Sequence, residues 1–248
     1  MTKSYIFEVE YGGLGDHLFY SPLPRLLKEL GIADRVYLSK KSKVRNHQTV
    51  DFVWNTNPFL DGLTEELPTE FQRKKPTLNK VINLELAKHG VVIDSEVYPE
   101  LYSTPIRDQQ LSEQKFLDLN YISFVGAITP LDEIALILNK SDLTVINPKG
   151  YLQPFLRNKP IFTKSLLQYA QCIFNAKEFH CLTSGGATLS AALKKPATAY
   201  YGFGQNSIHH HSSNTNVQIG GDNYIRKEIA KFLQKRNILR ERTKKTEG

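Results

Sequence analysis

The residues best suited to chemistry stand close together in Gly12-Gly13-Leu14-Gly15-Asp16-His17, a run of glycines that ends in a carboxylate and an imidazole. Glycines allow tight turns and leave backbone N–H groups open to a ligand. An Asp held in such a turn is fixed by the backbone where chemistry can use it. A second cluster, Thr183-Ser184-Gly185-Gly186-Ala187-Thr188, carries hydroxyls and glycines but no acid. At a helix start, its free N–H groups and the local positive potential suit a phosphate. Gly13 and Gly15 do not make a dinucleotide fingerprint, since Leu18 stands where the third glycine belongs. The plainer reading of the first cluster is a tight strand-to-helix corner with Asp16 as its N-cap.

The elements around these clusters alternate. Residues 4–10 are aromatic and β-branched and read as a strand, and 23–31 read as an amphipathic helix ending at Gly31. Residues 35–39 and 52–54 read as further strands, 61–77 as a polar, proline-punctuated loop, and 78–89 as a helix stopped by Gly90. Residues 98–112 lack periodicity and mark a boundary. Beyond it, 121–125, 143–146, 179–183 and 197–201 read as strands, and 131–138, 166–176 and 187–193 as helices. The alternation predicts an α/β fold with parallel sheets. The organisation expected is a domain over 1–112, a second over 113–225, and a basic helical tail over 226–248. Ligands bind beyond the carboxyl ends of strands in such folds, so both glycine clusters fall on the ligand-binding edge.

Charge is concentrated at the carboxyl end. Residues 226–248 hold nine basic and three acidic side chains, six of the net charge of +7. Such a tail can rest on an anionic membrane surface or on nucleic acid, or form a solvated final helix. Nucleic acid is not expected, because no basic patch has interleaved aromatics. Cys172 and Cys181 alone support neither a disulfide framework nor a cysteine metal cluster. No apolar run approaches a membrane span and no signal peptide is visible, so the cytoplasm is the expected compartment. A P-loop and a Gly-x-Ser-x-Gly elbow are both absent. His209, His210 and His211 are adjacent and cannot all face one ion, so a loop in solvent is expected. His17 either touches a substrate or packs on the helix start. Trp54 is expected in the core.

The first cluster and its sequel, GGLGDHLFYSPLPRLLKELG, resemble the amino-terminal motif of the heptosyltransferase-like (ADP-heptose) glycosyltransferases. The stretch LLQYAQCIFNAKEFHCLTSGGATLSAALKKPATAYYG resembles the carboxyl-terminal signature of the same family. The resemblance implies two Rossmann-like domains in the GT-B arrangement, facing across a cleft. It also implies metal-independent transfer of a sugar from a nucleotide-diphosphate donor to a glycan or lipid-linked glycan acceptor, with no cofactor. By the same resemblance Asp16 is the catalytic base, with Gly13, Gly15 and His17 on the acceptor side. By the resemblance too, Ser184, Gly185, Gly186, Ala187 and Thr188 grip the donor diphosphate, Lys159 or Lys149 neutralises the leaving group, and His209 or a neighbour reaches the donor phosphate from the loop that lines the cleft. The chain departs from the pattern at Thr183, where the family has Asp, and at Thr188, where it has His. It also lacks a helix and strand between Pro160 and Leu166. These departures leave a second reading open, a non-catalytic nucleotide-sugar or glycan-binding relative.

Overall fold

The computed structural model describes residues 2–68, 78–103, 105–122 and 124–221, and the basic run 226–248 lies outside them. The first sheet is parallel and three-stranded, in the order β1 (Ser4–Phe7), β2 (Arg35–Ser39), β3 (Gly62–Thr64). Between β1 and β2 run two short helices, α1 (Leu14–Tyr20) and α2 (Leu23–Glu29). The helix expected over 23–31 is therefore preceded by another, and Asp16 lies inside the first turn of α1. The break falls at Ser21-Pro22, where proline has no N–H to continue the ladder. Helix α3 (Leu78–Leu86) ends as expected, with Gly90 in the left-handed region at φ +74°.

The second sheet is five-stranded and parallel, in the order β5 (Thr144–Val145), β4 (Lys115–Asp118), β6 (Glu178–Leu182), β7 (Thr198–Tyr201), β8 (Thr215–Gln218). Its helices are α4 (Gln109–Ser112), α5 (Pro130–Asn139), α6 (Leu166–Asn175) and α7 (Gly185–Ala192). Successive residues of its central strands feed opposite cores. Phe116, Phe179, Cys181 and Ala199 join a large core that continues through Ala187 and Leu189 of α7 to Leu18, Leu23, Phe7 and Trp54. Leu117, Leu182 and Tyr200 join a smaller one with Leu136 and Val145. Burial on both faces is the usual condition of a parallel sheet. The large core spans both sheets.

Three expected elements are corrected. Residues 52–54 are not a strand but part of a wide helical turn, Val50–Trp54, in which Phe52, Val53 and Trp54 are all buried. The third strand of the first sheet lies instead at Gly62–Thr64, inside the expected loop, as a short edge strand. The strand expected at 121–125 lies earlier, as β4. There Ile122 and Phe124 are 79% and 67% exposed at the mouth of a cavity, so their apolar character does not signal the core. Strand β8 is polar, and no apolar pattern in the sequence marks it.

Candidate functional site

The loops after β1 and β6 meet. A Cβ on Gly15 would lie 3.3 Å from the Gly185 Cα, and a Cβ on Gly185 would lie 3.3 Å from the Gly15 nitrogen. Glycine at both positions lets the N-terminal turns of α1 and α7 approach backbone to backbone. The two turns were expected to face one another across a cleft. They touch instead, and together border a cavity of about 1010 Å³ that also reaches the ends of β4 and the β7–β8 connection.

Asp16 faces this cavity, half-buried. Its Oδ2 accepts the Gly13 N–H at 2.9 Å, and a Cβ on Gly13 would lie 2.8 Å from that oxygen. Gly13 is thus what lets the carboxylate fold back on its own turn. Burial raises the Asp16 pKa, and the Gly13 N–H and the nearby Arg45 charge oppose that rise. The result is a carboxylate held in place and more basic than an ordinary aspartate.

Ser184, Gly185, Gly186 and Thr188 line the same cavity, while the Ala187 side chain belongs to the core. The Ser184 hydroxyl caps α7 by accepting the Gly186 N–H at 3.3 Å. A Cβ on Gly186 would overlap the Tyr169 hydroxyl. That hydroxyl donates to Asp118 Oδ2, and Asp118 Oδ1 accepts from the Asn120 backbone at 2.9 Å and side chain at 2.7 Å. Burial pushes the Asp118 carboxyl up in pKa, against these hydrogen bonds. The Thr183 hydroxyl donates to the Tyr200 carbonyl at 3.1 Å, so at the first departure from the family pattern the side chain serves the sheet. Thr188, the second, lies beside Gly15 at the contact between α1 and α7.

The lysines expected to face the leaving group lie elsewhere. Lys149 Nζ binds the buried Glu133 at 2.7 Å and sits 4.1 Å from the centre of the Tyr121 ring. Lys159 is exposed, and neither residue lines the cavity. Among the described residues, the lysine and arginine that do are Lys164 and Arg45. The Arg45 backbone N–H donates to the Gly12 carbonyl at 2.9 Å. Lys164 precedes Ser165, the cap of α6, and Gln48 bridges the two halves by accepting the Leu166 N–H at 2.9 Å. No motif marked Arg45, Lys164, Asp118 or Tyr169; for Lys164 the start of α6 was the one legible signal.

His17 does not reach a substrate. It is fully buried, with Nδ1 accepting the Trp54 indole N–H at 2.8 Å and Nε2 bound to the Lys43 carbonyl at 2.9 Å. The three adjacent histidines diverge. His209 lines the cavity, and His210 packs on Tyr201. His211 is buried against Phe19 and binds Glu96 at 3.2 Å, which corrects the expected solvated loop. Among the described residues, no three His, Cys, Asp or Glu side chains converge as a metal site.

Burial lowers the His17 pKa to about 4 from 6.5. The unfolded chain protonates this ring below about pH 6.5 and the folded chain only below about 4, so the unfolded state holds the extra proton in between and stability falls as pH falls. At 1.36 kcal/mol per unit, the loss between those pH values is about 3 kcal/mol. Burial lowers His180 and His211 too, which acts in the same direction. Urea unfolding of the wild type from pH 7 to 4 is expected to show this fall, and His17→Gln to flatten it.

Neither a family model nor a curated protein sequence matches the chain. Solved structures do. A family 9 glycosyl transferase from Veillonella parvula superposes with a TM-score of 0.59 at 12% identity, over 94% of this chain and 89% of its own. The E. coli ADP-heptose LPS heptosyltransferase II superposes with a TM-score of 0.56 at 12% identity, over 96% and 100%. The chain has the heptosyltransferase fold. A third structure of this heptosyltransferase fold, the iron-containing dodecameric glycosyltransferase TibC of enterotoxigenic E. coli, gives a TM-score of 0.58 at 14% identity, over 89% of this chain and 63% of TibC. All three are glycosyltransferases, and at these identities the likeness is one of fold. Among the described residues, no helix is long and apolar enough to cross a membrane.

Proposed function

We propose that the chain is a glycosyltransferase of bacterial surface-polysaccharide synthesis, moving a sugar from a nucleotide-diphosphate donor to a glycan or lipid-linked glycan acceptor. The single observation that carries this reading is the contact of Gly15 with Gly185, which brings the Asp16 carboxylate and the start of α7 to one cavity. In this reading the two sheets are the two domains of a GT-B arrangement, and the 226–248 segment rests on the anionic inner membrane from the cytoplasmic side. Asp16 takes the acceptor O–H proton as the oxygen attacks the anomeric carbon. The bond from that carbon to the diphosphate breaks, and its electron pair leaves with the phosphate oxygen. The α7 N–H groups, Arg45 and Lys164 stabilise that developing charge, so transfer needs no metal.

Calorimetry against a panel of nucleotide-diphosphate sugars tests donor binding, and release of free nucleotide upon addition of glycan acceptors tests transfer. Turnover is expected to survive EDTA unchanged. Binding without nucleotide release for any acceptor would assign the chain to the non-catalytic class of nucleotide-sugar-binding relatives.

A further inference from the structure

We propose that His17 is a positioning residue: its ring ties segment 43–45 to α1 and thereby holds Arg45 beside Asp16. The proposal deepens the reading above, and its consequence for catalysis rests on Asp16 being the base. Three observations carry it. The indole N–H of Trp54 can only donate, so Nδ1 of His17 is the acceptor and the ring proton sits on Nε2, directed at the Lys43 carbonyl. Segment 43–45 is zipped to the chain before α1, since the Lys43 N–H donates to the Val9 carbonyl at 2.9 Å and the Arg45 N–H to Gly12. Gly12 has no room for a side chain, because a Cβ there would lie 3.0 Å from the backbones of Lys43 and Arg45. His17 follows Asp16 in α1, and Lys43 precedes Arg45 by two residues. One neutral ring therefore links the element bearing the carboxylate to the element bearing the cation.

Among the described residues, few charged and titratable groups act on this pair. Arg45 bears on Asp16 from segment 43–45, and Tyr20 couples to Asp16 along α1, with Glu8, Glu10 and Glu85 acting on Tyr20 in turn. Helix α7, packed against α1, carries no charged side chain. A Cβ on Gly13 would lie 2.8 Å from the Asp16 Oδ2 and 3.8 Å from the Arg45 Nη1, which puts the guanidinium and the carboxylate on the same turn, and the Arg45 charge opposes the effect of burial on Asp16.

The test is the titration of the Asp16 carboxyl, followed by carbon NMR on the full chain. His17→Leu and Arg45→Gln are each expected to move its midpoint up by about one pH unit. The double variant is expected to move it no further, since both changes remove the same interaction. His17→Gln keeps an N–H donor for the Lys43 carbonyl and is expected to restore the wild-type midpoint. Should His17→Leu not fold, Trp54→Phe releases Nδ1 while keeping an aromatic ring, and is expected to move the midpoint part of the way. An unchanged midpoint in a folded His17→Leu or Trp54→Phe chain, or additive shifts in the double variant, overturns the proposal. The titration needs no turnover. If Asp16→Asn retained full activity while the shifts appeared, the catalytic reading would fail and the positioning role would stand.

Discussion

Replacing Asp16 by Asn is expected to lower transfer about a thousandfold, the usual scale for loss of a general base, with donor affinity and folding close to wild type. Asn has the same shape, and its carbonyl oxygen can still accept the Gly13 N–H that holds the side chain on its turn. What it lacks is an oxygen able to take a proton. The loss should therefore fall on kcat, because the diphosphate is held at α7 rather than at Asp16. Turnover by initial rates, donor binding by calorimetry and a thermal melt separate these outcomes. Unchanged turnover would remove Asp16 from the mechanism. In the wild type, the acid limb of the rate profile should have its midpoint above the ordinary aspartate range, because burial raises the carboxyl.

Gly126→Ala is expected to destabilise the fold by about 3 kcal/mol through two additive causes. Gly126 sits at φ +92°, where a Cβ costs about 1–2 kcal/mol. A Cβ there would also overlap the backbone of Gly202, and overpacking of this kind costs about 1–3 kcal/mol. The neighbour cannot turn away, because it is main chain. Gly202 donates to the Val125 carbonyl at 2.8 Å, and Ala127 donates to the Phe203 carbonyl at 2.8 Å. These bonds hold the loop after β4 against the loop after β7, and the two loops form the cavity mouth with Phe124 and Gln205. Urea unfolding should therefore report the destabilisation, and donor affinity should fall with it. A stability within about 0.5 kcal/mol of wild type, the range of neutral surface changes, would show that the crossing relaxes.

The legible parts of the fold are those whose signal is local. Strand β2 coincides with the expected 35–39, and α5, α6 and α7 lie where periodicity and capping residues place them, each within two residues. The illegible parts depend on partners distant in sequence. β4 begins with Lys115 and ends with Asp118, an unpromising strand, yet Asp118 is buried because Tyr169 and Asn120 satisfy it. Phe52, Val53 and Trp54 are β-formers and read locally as a strand, yet all three are buried within a wide turn, and three adjacent apolar residues do not tell a buried strand from a buried turn. Ile122 and Phe124 show the converse, apolar residues spent on a cavity mouth.

The candidate site divides in the same way. By itself the sequence determined the two glycine clusters, the carboxylate in the first, the helix start in the second and the parallel α/β frame, because each follows from short-range spacing and turn chemistry. Only the tertiary structure decided that the two turns touch, through Gly15 and Gly185. It alone replaced Lys149 and Lys159 with Arg45 and Lys164 at the cavity, since a long cation's position depends on which partner captures it, and Glu133 captures Lys149. It also turned His17 inward, because Trp54 and Lys43 supply a buried donor and acceptor whose meeting no local pattern encodes.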